Sequence, residues 1–80
     1  MNKKLAEIIG WCGVLMLLSA YALLNFHVIY VNDFSYQFLN LIGSVSIIII
    51  SLFKRAYQPA VLNIIWAIIA MIALFQIIFL

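Results

Sequence analysis

An 80-residue chain in which 70% of residues are hydrophobic and 8% charged is not built like a soluble domain, where about a quarter of residues carry charge. One small domain is the most this length allows, and in water such a composition would expose apolar patches that aggregate. The formal net charge of +2 is too small for a nucleic-acid surface. The single cysteine, Cys12, excludes an intrachain disulfide and a multi-cysteine metal cluster.

Crossing about 30 Å of hydrocarbon takes roughly 20 apolar residues in a helix, and three stretches qualify. The first covers residues 5–24, directly after Lys3 and Lys4. Its residues Ala6, Gly10, Gly13, Leu17, Ala20 and Tyr21 share one side. They form a small-residue groove that lets another backbone come close. Cys12 and Ser19 fall on the other side, Cys12 reading as a small buried hydrophobe. The "MNKK" start and the Ala20-Tyr21-Ala22 triplet have the outline of a signal peptide. Glu7 interrupts that outline and the apolar run continues through Leu23 and Leu24, so the expectation is a retained span. The loop "NFHVIYVND" follows, with His27 as a solvated loop residue.

The second span covers residues 34–53 and opens on "YQFLNLIGS". Projected at about 100° per residue, Gln37, Asn40, Ser44 and Ser51 fall within roughly 60° of arc. Tyr36 and Gly43 flank that stripe. Phe38, Ile42, Ile49 and Phe53 lie opposite it, together with Ser46, whose hydroxyl can bond back to a carbonyl one turn earlier. A polar stripe on a lipid-bathed helix must face protein or water. The small-residue side of the first span is its expected counterpart.

Lys54 and Arg55 lie in the short connection to the third span, residues 59–80. Pro59 suits a first helical turn, where its missing N–H costs nothing. Pro59, Asn63, Trp66, Ala67 and Ala70 share a face, and Ala60 and Ala67 leave room beside Asn63. Gln76 lies off that face, near headgroups or water. The words "YQFLNLI" and "YQPAVLNII" echo each other at the starts of the second and third spans, a hint of the inverted repeats that transporters use. At 1.5 Å per residue Asn40 lies about 9 Å from one membrane face and Asn63 about 6 Å from the other. Some 15 Å then separates the two amides in a 30 Å core, so each needs its own partner. Tyr21 is expected for Asn40 and Ser51 for Asn63.

All four basic residues, Lys3, Lys4, Lys54 and Arg55, fall before the first span or between the second and third. The positive-inside rule makes those segments cytoplasmic, and three spans then put the carboxyl end outside. Glu7 belongs at the cytoplasmic interface, paired with a nearby Lys or Arg or solvated. No nucleophile–base pair, metal-ligand spacing or phosphate loop is present. Enzymatic activity, a metal and a cofactor are therefore not expected.

Taken together, "GWCG…AY" at 10–21, "YQFLNLIGS" at 36–44 and "PAVLNIIWAIIA" at 59–70 resemble a family of uncharacterised bacterial membrane proteins of this length with three spans. A more distant likeness is to SemiSWEET sugar transporters and other PQ-loop proteins, three-helix half-units that dimerise around a pathway. Asn63 and Trp66 are similar to the asparagine and tryptophan that line SemiSWEET pockets, whereas the Pro-Gln signature of the first helix is absent here. The resemblance implies an all-α, compact three-helix bundle in the bacterial inner membrane, pairing as a homodimer among membrane lipids. On that reading the chain is a half-transporter for a small polar solute, held by Asn63 and Trp66 with Asn40 and Gln37 lining the outer approach. Gly10, Gly13, Tyr21, Gly43, Ser44, Ser51, Ala67 and Ala70 would pack the helices. The alternative is an accessory or regulatory subunit docked on a larger membrane protein. A holin-like pore fits less well, because the chain ends "FQIIFL" without a charged tail.

Overall fold

In the computed structural model, which describes residues 2–80, the chain folds into three α-helices with no strand among those residues. Helix α1 runs Lys3–Asn25, α2 Phe34–Phe53 and α3 Tyr57–Phe79. The three form a compact bundle measuring 39 × 23 × 19 Å. At 1.5 Å per residue, helices of 20 and 23 residues are about 30 and 34 Å long. All three are long and apolar enough to cross a membrane, as expected of a multi-pass membrane protein.

Local chemistry sets the helix ends. Asn2 caps α1, its Oδ1 accepting the Leu5 N–H at 2.7 Å, which starts the helix ahead of the apolar run. Helices α1 and α2 end in the same way. After α1 the N–H of Val28 donates to Leu23 O at 3.0 Å and that of His27 to Leu24 O at 3.2 Å. After α2 the N–H of Ala56 donates to Ser51 O at 2.8 Å and that of Arg55 to Leu52 O at 3.1 Å. Both patterns are Schellman caps, which place one residue in the left-handed region. His27 (φ 62°) and Arg55 (φ 57°) fill that position without being glycine. Pro59 is the third residue of α3, inside the turn whose N–H groups have no helical acceptor.

Helix α2 is the middle of the bundle. It packs against α1 and against α3, while no Cα of α1 comes within 8 Å of one in α3 among the described residues. The arc of α2 that meets α1 consists of Gly43, Ser46, Ile47 and Ile50. A Cβ added to Gly13 would stand 2.7 Å from Ser46 Cβ and 3.0 Å from Gly43 O; one on Gly10 would stand 3.1 Å from Ile50 Cγ1. The missing side chains are what bring the two backbones together. About 100° around α2 lies the second buried arc, Gln37, Ser44 and Ser51. Helix α3 covers it, with Ala60, Asn63, Ala67 and Ala70 as its own buried residues.

This arrangement corrects the expected pairing of faces. The small-residue side of α1 receives the glycine–isoleucine arc of α2, and the polar stripe turns to α3. Ser46 bonds back to Ile42 O at 3.0 Å, yet it faces α1 at Gly13 rather than the side of Phe38 and Ile42. Tyr21 does not pack between helices: it is 65% exposed, and Cys12, expected to be buried, is exposed as well because its side of α1 meets no other helix. Lipid supplies the reason for the inverted distribution, since large apolar side chains gain nothing by leaving acyl chains. The buried apolar residues are five alanines and Ile50, while Trp11, Leu18, Ile65, Ile69 and Phe75 are exposed.

Candidate functional site

The polar residues sort into three places along α2. At the end formed by the α1–α2 loop and the carboxyl terminus, Gln37 is buried and its Nε2 donates to Val31 O at 2.9 Å. This bond straps the loop onto the start of α2. The loop is braced a second time by Asp33, whose Oδ2 accepts the Tyr30 N–H while its own N–H donates to Tyr30 O, both at 2.9 Å. Beside the strap, an open groove of about 440 Å³ runs between α2 and α3. It is lined by Val31, Asn32, Gln37, Ala73, Gln76, Ile77 and Leu80. Gln76, expected to lie apart near water, thus shares a groove with Gln37.

The α2–α3 seam holds Ser44, which is fully buried, and Asn63, almost so; Ser51, equally buried, lines the groove that α1 and α2 form at the opposite end. Asn63 does not bond to Ser51 as expected. Its Nδ2 donates to Pro59 O at 2.9 Å, one turn back on its own helix. Asn63 Oδ1 and Ser44 Oγ are buried without a hydrogen-bond partner. Asn40 is half-buried, and Tyr21, its expected partner, is exposed. Trp66 is 45% exposed, so Asn63 and Trp66 do not line a common pocket within one protomer. The two "YQ…LN" words also meet different surroundings: Gln37 is buried and Gln58 exposed, Asn40 half-buried and Asn63 buried.

At the opposite end Lys54 Nζ pairs with Glu7 Oε1 at 2.5 Å, joining α1 to the end of α2. The antiparallel packing of α1 and α2 places Lys3, Lys4, Lys54 and Arg55 at this one end of the molecule. Below the ion pair a groove of about 250 Å³ opens between the two helices. Its walls include Gly10, Trp11, Val14, Ile47 and Ile50. Sequence periodicity finds the polar stripe and the small residues but neither groove, because each is walled by two chain segments distant in sequence. No group of three or more His, Cys, Asp or Glu that could hold a metal occurs among the described residues.

Neither the curated proteins nor the solved structures include a match to this chain. A family model matches residues 6–79, nearly the whole chain and all three helices, and the protein belongs to that uncharacterised family.

Proposed function

We propose that the protein is a non-enzymatic accessory subunit of the bacterial cytoplasmic membrane, a three-helix unit that docks on a larger membrane protein. One observation carries this reading: the polar stripe is spent inside the protomer. Gln37, Ser44, Ser51 and Asn63 are each at most 6% exposed in the monomer, so little of the stripe is left on its outside apart from half-buried Asn40. What the chain offers a neighbour is an apolar surface with small polar ends. The basic end is cytoplasmic and Leu80 is outside, as the distribution of Lys and Arg requires.

Affinity purification of the tagged chain in mild detergent tests the role. A dominant, unrelated membrane protein at fixed stoichiometry is the expected result; recovery of the chain only as a self-dimer refutes it.

The groove between the α1–α2 loop and α3 favours a second reading, the homodimeric half-transporter. It places Gln37, Asn32 and Gln76 where a small polar solute could enter, and six helices enclose a pathway more readily than three. In a Cys12→Ala background, this reading requires Gln37→Cys to react with a membrane-impermeant maleimide and to cross-link between two copies. Protection of Gln37→Cys in the intact membrane, or the lack of any cross-linked dimer, removes it.

A further inference from the structure

The groove at the basic end has the shape and charge of a phospholipid site. It begins at the Glu7–Lys54 ion pair and reaches Val14 on α1 and Ile47 on α2, about 10 Å along both helices at 1.5 Å per residue. Its long axis therefore follows the helices, as an acyl chain does. Gly10 forms part of the wall, and with no side chain there Ile50 of α2 packs directly against it at the back of the groove. Its volume of about 250 Å³ is room for part of an acyl chain. Trp11 stands at the edge, 64% exposed, the placement of an interfacial aromatic anchor.

Charge selects the headgroup. Lys3, Lys4, Lys54 and Arg55 lie at this end against the single carboxylate of Glu7, so the mouth is net basic. The ion pair fixes Lys54 over the groove, and its side chain, 53% exposed, can meet a phosphate from the open side. Arg55, exposed and at the left-handed position of the α2 cap, follows Lys54 in the chain and brings a second cation to this end of the molecule.

We propose that this groove binds one anionic phospholipid, its acyl chain against Gly10, Val14 and Ile47 and its phosphate on Lys54 and Arg55. The site rests on the membrane-spanning arrangement and not on the accessory role, so either can fail without the other.

The full chain, purified in mild detergent, is titrated with phosphatidylglycerol, phosphatidylcholine and glycerol 3-phosphate and followed by native mass spectrometry. Helix content is checked by circular dichroism. One phosphatidylglycerol should bind, about fivefold or more tighter than phosphatidylcholine, since each basic residue near an anionic lipid contributes about a factor of five. Glycerol 3-phosphate, which lacks the chains, should not bind. The Lys54→Gln/Arg55→Gln variant should lose the preference between the two lipids. Val14→Phe, which fills the groove, should weaken both lipids while keeping their ratio. Glu7→Gln, which removes the carboxylate, should keep phosphatidylglycerol bound. Equal binding of the two lipids by the native chain overturns the proposal, as does a preference that survives in the double variant. Tight binding of glycerol 3-phosphate overturns it too, and so does unchanged lipid binding in Val14→Phe.

Discussion

At Gly13 the two backbones come so close that even a methyl group has no place. The atoms that a Cβ would strike, Ser46 Cβ at 2.7 Å and Gly43 O at 3.0 Å, belong to or adjoin the α2 backbone and cannot swing away. At Gly43 the obstacle is the Leu17 side chain, 2.8 Å away, which can turn; at Gly10 it is Ile50 at 3.1 Å or more. Overpacking costs about 1–3 kcal/mol, so alanine should destabilise most at Gly13, less at Gly43 and least at Gly10. Reversible denaturation in bicelles would read that order, and equal effects at the three positions would contradict it. Ser44 behaves in the opposite sense. Its buried hydroxyl lacks a partner, so Ser44→Ala should be neutral or stabilising by up to ~1 kcal/mol in the same assay. His27 at φ 62° occupies a cap position that glycine fills without strain. His27→Gly should therefore raise stability by about 1 kcal/mol, and a loss would show that the cap is not what holds the loop.

Between elements, the forces are close approach and a few polar links. The Glu7–Lys54 pair joins α1 to the end of α2, yet both partners are well exposed. Solvent and salt screen such a pair, so Glu7→Gln should cost under about 1 kcal/mol, and that cost should shrink in high salt. Asn63 adds little to the α2–α3 seam, because its one hydrogen bond returns to its own helix. Asn63→Ala should then shift the unfolding free energy by no more than the ~0.6 kcal/mol typical of polar contacts in membranes. A larger loss would mean that Asn63 Oδ1 meets a donor in the membrane-embedded protein. The Gln37 amide is different in kind. It ties the loop to α2, so Gln37→Leu should loosen residues 31–33 and speed hydrogen exchange there without unfolding the helices.

For the whole molecule, the interior is small and polar and the exterior large and apolar. The accessible surface of 5634 Å² exceeds the roughly 4900 Å² expected for a soluble protein of this mass. Three helices with α2 in the middle leave broad faces of α1 and α3 for lipid or a partner. Four cations at one end give the molecule its polarity, and reporter fusions should place the amino terminus in the cytoplasm and Leu80 outside. Moving the charge tests the cause: Lys54→Gln/Arg55→Gln with two lysines inserted beside His27 should invert a fraction of the molecules. An orientation unchanged by that transfer would separate topology from these residues.

The sequence alone determined the three spans, the second span's limits at 34 and 53, the gathering of basic residues and the small side of α1. Each follows from length, hydropathy or a 3.6-residue period, and each is a property of one segment. It also marked Gln37, Ser44, Ser51 and Asn63 as residues that lipid would not accommodate. Tertiary structure alone decided which helix receives which face. Periodicity says that a polar residue turns from lipid, not toward which neighbour, and the two buried arcs of α2 lie only one residue's rotation apart. The Schellman caps escaped notice because His27 and Arg55, not glycine, stand at the left-handed positions. The grooves at either end were equally hidden, since each exists only where two segments distant along the chain come together.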